Sequence, residues 1–383
     1  MICYPKGLLM RRSLTVLCVV LALPIAWVAA QVDPLQTPTE SHFRGSVARW
    51  GVAESSAIRQ TPSLLWQFEV ERPVRTTAAL ANGRVYIGSE AGIFYALDAS
   101  TGQEAWRFAP QEDPFVSTAA IVDGIIYVGS LDHHLYALEE ATGQVLWQFE
   151  AEGGIYSSPA VQDGVVYMGS LDDQVYALDA EDGALRWVFA TKGPVWSSPA
   201  LADELLYIGS RDGNLYALDI DTGQEVWRLE TGQNIDATPA VYEGVVHIGN
   251  RDGQLYALDA MTGEVRWQQD LGSEIYASAA VAPDRVYSFG SDGLMTALER
   301  SSGQIVWQFE MGGPAYSSPT YADGVIYAIT EAGGLLYALE ASTGQELWRY
   351  QTGREWDFRS AAPVLSNGVL FMASNSEGLL VLQ

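Results

Sequence analysis

Residues 157–187 read SSPAVQDGVVYMGSLDDQVYALDAEDGALRW, and the pattern returns along nearly the whole chain. A small-residue run, Ser157-Ser158-Pro159-Ala160, leads through a turn at Asp163-Gly164 into Val165-Val166-Tyr167-Met168-Gly169. After a second turn come Val175-Tyr176-Ala177-Leu178-Asp179, a third turn at Asp182-Gly183, and Trp187. Each run is short, rich in Val, Ile, Tyr and Trp, and bounded by Asp-Gly or Asn-Gly, which is how hairpins are written in sequence. Each copy should therefore form four antiparallel strands.

The tryptophans set the period. Trp66, Trp106, Trp147, Trp187, Trp227, Trp267, Trp307 and Trp348 follow one another at spacings of 40 or 41 residues, which makes eight copies. A four-stranded sheet repeated at this length must bury both faces against its neighbours, and radial stacking into a β-propeller does so. Stacked helical hairpins would need a 3.6-residue periodicity, which is absent. Pro159, Pro199, Pro239, Pro319 and Pro363 share one position of the first strand. Proline lacks the donor a central strand must supply, so this strand should be the innermost edge, lining the central channel.

The last copy stops at Leu380-Val381-Leu382-Gln383 without its tryptophan strand, and an unclaimed one stands at the other end as Leu64-Leu65-Trp66-Gln67-Phe68. The expected fold is all-β: an eight-bladed β-propeller of four-stranded antiparallel blades over residues 61–383, with the N-terminal strand completing the last blade. Such closure removes the free sheet edge. Residues 31–60, with Pro34, Pro38, Ser41 and Ser55-Ser56, read as a linker or an arm lying on that domain.

Residues 1–30 carry Lys6, Arg11 and Arg12, an apolar run from Leu14 to Leu23, and small residues ending Val28-Ala29-Ala30, the order of a secretory signal peptide. Cleavage near Ala30 would leave a periplasmic or secreted chain with no integral membrane segment. An uncleaved anchor over residues 14–30 and a start at Met10 are the alternatives. Cys18 lies inside the apolar run without a lipobox, so a lipoprotein is not expected.

Of 383 residues, 18% are charged and 48% hydrophobic, a globular composition. The formal charge is −26, and loss of residues 1–30 removes three basic residues and no acid, taking it to −29. Lys192 is the only lysine after residue 30, so nucleic acid and anionic lipid are excluded as partners. Basic partners and divalent cations stay open, and solubility or salt adaptation alone would also explain the acidity. The only cysteines, Cys3 and Cys18, lie in the signal segment. A mature chain then has no disulfide, thiolate metal site, c-type haem or cysteine nucleophile.

Ala96-x-Asp98-x-x-Thr101-Gly102-x-x-x-Trp106 and Ala217, Asp219, Thr222, Gly223, Trp227 are two copies of a motif that resembles the tryptophan-docking motif of the pyrroloquinoline quinone (PQQ) repeat superfamily. That superfamily includes quinoprotein alcohol dehydrogenases and the assembly lipoprotein BamB. The resemblance runs over about residues 43–383, since Phe43-Arg44-Gly45, Ala48-Arg49 and Gly51 resemble its lead-in. A regular repeat without a constellation of reactive groups, with irregular aromatic loops on one face, reads as a non-enzymatic, BamB-like binding or scaffold module, expected to be a monomer, and the resemblance implies that its partner is a cell-envelope protein. The motif itself serves packing: the indole lies against the next blade, and Asp with Thr-Gly holds a tight turn. A PQQ- and calcium-dependent alcohol or sugar dehydrogenase is the alternative. Against it, the adjacent-cysteine disulfide of those enzymes cannot form, and no Asp base with Glu and Asn calcium ligands stands in matching context. No cofactor is therefore expected.

A site must come from residues that break the repeat. The position before the small-residue run holds Arg75, Val116, Tyr156, Trp196, Asp236, Tyr276, Tyr316 and Ser360 in successive copies. Propeller geometry brings them to one mouth, as a funnel for a ligand or peptide side chain or as rings wedged between blades. A carbohydrate-binding rim is a third reading. The insertion Thr352-Gly353-Arg354-Glu355-Trp356-Asp357-Phe358-Arg359 is three residues longer than its equivalents. Its Arg354, Trp356, Phe358 and Arg359 are the residue types that anchor interfaces, or else they plug the closure seam.

His133-His134 beside Asp132 would need further ligands to hold a metal, because neighbours on an extended chain point to opposite sides. Asp132, Asp172, Asp212, Asp252 and Asp292 share a turn position, where an Asp bonding its own backbone accounts for them without calcium. Asp219-x-Asp221-x-Gly223 resembles the start of a calcium loop but lacks its distal Glu. No nucleophile elbow, Walker loop, HExxH helix or dinucleotide fingerprint occurs at a usable place.

Overall fold

The computed structural model describes residues 37–331, 334–353, 361–374 and 376–383. Among them are eight four-stranded antiparallel sheets, seven built from strands consecutive in sequence and one that takes its fourth strand from the N-terminal side. In blade three, Ala160–Gln162 pairs with Val165–Gly169, which pairs with Gln174–Asp179, which pairs with Leu185–Ala190. The first turn needs two left-handed residues, and Asp163 and Gly164 supply them at φ 50° and 72°.

Burial grades outward along each blade. Val165–Gly169 is buried throughout, whereas Leu185–Ala190 is exposed except at Trp187 and, in part, Phe189. The core lies between blades: Val175, Ala177 and Trp187 of blade three pack with Leu206, Ile208 and Tyr216 of blade four. The indoles tie the blades together as the motif implied. Trp147 donates to Ala180 O of the next blade at 3.0 Å, and its ring covers Gly183 so closely that a Cβ there would stand 2.6 Å from it.

Ring closure follows the expected route. Leu64–Phe68 completes the eighth sheet, with Trp66 opposite Val381 and Phe68 opposite Leu379. Ser63 and Gln383 exchange backbone hydrogen bonds at 2.7 and 2.9 Å.

The segment read as a linker or an arm lying on the domain is, over residues 37–60, an arm built into the ring. Carbonyls of Ser41, Val47, Ala48, Trp50 and Gly51 accept from the N–H groups of Ile121, Leu201, Val241, Val281 and Tyr321, one repeat position on the innermost strands of five blades. Those strands are sheet edges, so the arm satisfies donors the channel would otherwise leave open. Arg49, 0% exposed, bonds to the carbonyls of Phe43, Ser158, Pro159 and Pro199. Burial lowers its pKa to about 9, so it stays charged at neutral pH.

Candidate functional site

Seven of the eight positions that precede the small-residue runs line one cavity of about 350 Å³ at a channel mouth: Arg75, Val116, Tyr156, Trp196, Asp236, Tyr276 and Tyr316. The eighth, Ser360, lies outside the described residues, as do Arg354, Trp356, Phe358 and Arg359 of the long insertion. Phe43 of the arm also lines the cavity.

A belt of hydroxyls, one from each of seven blades, lies below the aromatic ring. Thr77 N–H donates to Thr118 Oγ1, and the same bond runs from Thr118 to Ser158, Ser198, Thr238, Ser278 and Ser318 in turn, at 2.8 to 3.1 Å. Ala362 N–H donates to Thr77 Oγ1 at 3.1 Å, and the belt lacks a hydroxyl only at Ala362. This explains the second small residue of each copy: a hydroxyl must accept from the preceding blade where side chains have no room. The spacing of 40 was the visible signal, and its partner relation was not.

Two arginines that the sequence reading missed organise the aromatic wall. Arg211 and Arg251 follow the second strand of blades four and five, where blades two and three carry Leu131 and Leu171. The Arg211 guanidinium lies 3.4 Å over the Trp196 ring and forms a two-point pair with Asp236 at 2.7 and 3.1 Å. Tyr156 stacks on the same indole at 4.5 Å between centroids. Two groups this close cannot share one face, so both faces of Trp196 are covered. Arg251 lies over Tyr276, bonds its hydroxyl and stands 3.7 Å from Glu274. Tyr316 meets Tyr276 edge-on at 5.1 Å, and Arg75 pairs with Glu90. Cations over aromatic faces, locked by carboxylates, fix these side chains in place.

The eight docking tryptophans lie away from this mouth. Trp66, Trp106, Trp147, Trp187, Trp227, Trp267 and Trp307 each donate to a carbonyl of the following blade, and Trp348 donates to Ile58 O.

Asp132, Asp172 and Asp212 each accept from a backbone N–H two residues on and from a tyrosine hydroxyl four residues on. Asp292 accepts only the former, and at Asp252 the part passes to Asn250, whose side chain accepts from Asp252 and Gln254. Asp219 binds Thr222 through its N–H and hydroxyl. The histidine pair departs from the extended chain assumed for it: His133 occupies the turn at φ 75°, and His134 stacks on Tyr136. Among the described residues no three His, Cys, Asp or Glu gather as a metal site.

The model of the family described as outer membrane protein assembly factor BamB matches residues 55–157, 134–279 and 251–383. The chain belongs to the BamB family. Among solved structures, BamB from Moraxella catarrhalis is similar at a TM-score of 0.73 and 22% identity, over 84% of this chain and 100% of that one. A quinohemoprotein alcohol dehydrogenase from Comamonas testosteroni reaches 0.77 at 17% identity, over 90% and 80% of the two chains. A computationally designed protein, Ika8, reaches 0.74 at 20% identity, over 83% and 98%. At such identities the likeness is one of fold. No curated protein sequence matches this BamB-family chain.

Proposed function

We propose that the chain is an exported, non-catalytic propeller that serves as a protein-binding scaffold in the cell envelope, and that the mouth is its docking face. The observation that carries this reading is the braced series of Tyr156, Trp196, Arg211, Asp236, Arg251 and Tyr276 around one cavity. Aromatic and arginine side chains dominate binding energy at protein interfaces, and they do so best when held in place before the partner arrives. Membership of the BamB family supports a protein-binding role. Export rests on the signal-like order of residues 1–30, and no helix among the described residues is long and apolar enough to cross a membrane.

The quinoprotein neighbours raise PQQ with calcium, and the residues at this mouth do not suit it. A planar quinone needs an open aromatic face, whereas both faces of Trp196 are taken, and Asp236 is committed to Arg211. The test is a titration of purified residues 31–383 with PQQ and calcium, alongside affinity capture from envelope extract with the wild type and Trp196→Ala/Arg211→Ala. A partner retained by the wild type and lost from the variant supports the reading. Stoichiometric quinone binding, or capture that ignores the variant, overturns it.

A further inference from the structure

Phe43 lines two cavities, the mouth and a second of about 520 Å³ bounded by the arm and by the innermost strands of blades one and eight. The second shares Phe43, Thr77 and Ala362 with the mouth but none of the braced series from Tyr156 to Tyr276. Trp50, Leu80, Val364 and Leu365 give it an apolar wall, and Arg44 supplies its one cation among the described residues.

Three alternate residues of the arm that line this cavity, His42, Arg44 and Ser46, each carry a buried polar atom with no hydrogen-bond partner: Nδ1, Nη1 and Oγ. Buried polar groups in folded proteins are nearly always paired, so three orphans along one wall call for a ligand. Arg44 is 8% exposed. Its Nε donates to Arg49 O at 3.1 Å and its Nη2 to Ala279 O, both neutral acceptors, and no ion pair joins it to an acid among the described residues. The charge of Arg49 acts against it, and the partners of Arg49 are carbonyls. A buried guanidinium without a counter-ion is costly, and an anion in the cavity would supply one.

The backbone holds the group there against its own preference. Arg44 has φ 61°, a left-handed conformation that side chains other than glycine rarely adopt and that collects at functional sites. Gly51 leaves the space, since a Cβ on it would overlap the Arg44 guanidinium.

We propose that this cavity binds an organic monocarboxylate with an apolar body, its carboxylate paired with Arg44 and its body against Trp50, Leu80 and Val364. Its size falls in the range of small-molecule pockets, and apolar walls with a few converging polar groups are their usual make-up. One guanidinium suits one negative charge. Burial holds the His42 imidazole near pKa 4, neutral at physiological pH, and Glu40 and Glu54, which also line the cavity, oppose a multiply charged anion.

Titration calorimetry of the purified chain with octanoate, octanol, octylammonium and inorganic phosphate tests the proposal, with Trp50 emission as a second signal. Octanoate is expected to bind once per chain and at least tenfold more tightly than the other three. Arg44→Gln should weaken octanoate at least tenfold. Should that variant fail to fold, Val364→Trp keeps Arg44 and fills the cavity, and it should block octanoate equally. Trp196→Ala in the mouth should leave octanoate binding unchanged. Octanol or phosphate binding as tightly as octanoate, no binding by any probe, or octanoate binding untouched by Val364→Trp would each overturn the proposal.

Discussion

The indole of Trp348 donates to the carbonyl of Ile58, 290 residues earlier, at 2.8 Å. In the other blades this acceptor lies 33 or 34 residues downstream, in the turn after the third strand of the next blade. In blade eight the third strand is Gly378–Leu382, and the turn's place is filled from the other side of the closure. Ile58 stands in for it, and its N–H also donates to the Tyr327 hydroxyl at 2.7 Å. The arm thus supplies the turn, and Leu64–Phe68 the fourth strand, of blade eight. Removing residues 37–59 should lower the unfolding temperature and speed amide exchange at Ile121, Leu201, Val241, Val281 and Tyr321 together. Exchange unchanged at those five positions would contradict the arm's role as their acceptor.

Seven of the eight indoles, all but Trp348, press on a glycine that side chains could not replace. Gly183 combines φ 74° with a Trp147 ring only 2.6 Å from where a Cβ would stand. Gly183→Ala should cost about 2–4 kcal/mol, from overpacking and the left-handed backbone together. Urea denaturation reads this directly, and a cost below about 1 kcal/mol would show that the contact relaxes freely.

His247 occupies the place of Tyr127, Tyr167, Tyr207 and Tyr287, whose hydroxyls reach a carbonyl of the next blade. It is fully buried, and desolvation first, with the Arg300 and Arg266 charges adding to it, lowers its pKa from 6.5 to about 3. Between those values the unfolded chain binds a proton that the folded chain refuses. Stability from this site is complete above about pH 6.5 and falls as pH drops toward 3. His42, lowered to about 4, acts in the same direction. His247→Tyr should therefore stabilise the ring more at pH 5 than at pH 8, a comparison that denaturation at the two pH values makes. Equal gains at both would rule out proton linkage.

Arg211 lies partly exposed over Trp196, so Arg211→Ala should cost only about 1 kcal/mol of stability while changing Trp196 emission. Partner capture should fall at least tenfold. A large loss of stability with capture intact would make Arg211 a packing residue instead.

Eight tryptophans at a fixed spacing, a shared proline and a stray strand made the ring legible, because blade packing imposes one set of residues on every copy. The mouth was legible in part: Tyr156, Trp196, Tyr276 and Tyr316 break the repeat at a position whose geometry is known, whereas Arg211 and Arg251 break it one strand end away. The arm was legible as a segment lying on the domain, and its insertion into the ring was not. Arg49 is held by carbonyls up to 150 residues distant, and an arginine in sequence reads as a surface residue. His133 was misjudged because its turn φ depends on the hairpin and not on the histidine.

The docking role of the mouth is tested most directly by site-specific photo-cross-linking in envelope extract. A photoreactive residue replaces Tyr156 or Tyr316 at the rim, or Leu146, exposed on an outer strand, as control. The account predicts one protein cross-linked from both rim positions, not from position 146, and lost when Trp196→Ala/Arg211→Ala is added. A rim that yields nothing beyond the outer-strand control would contradict it.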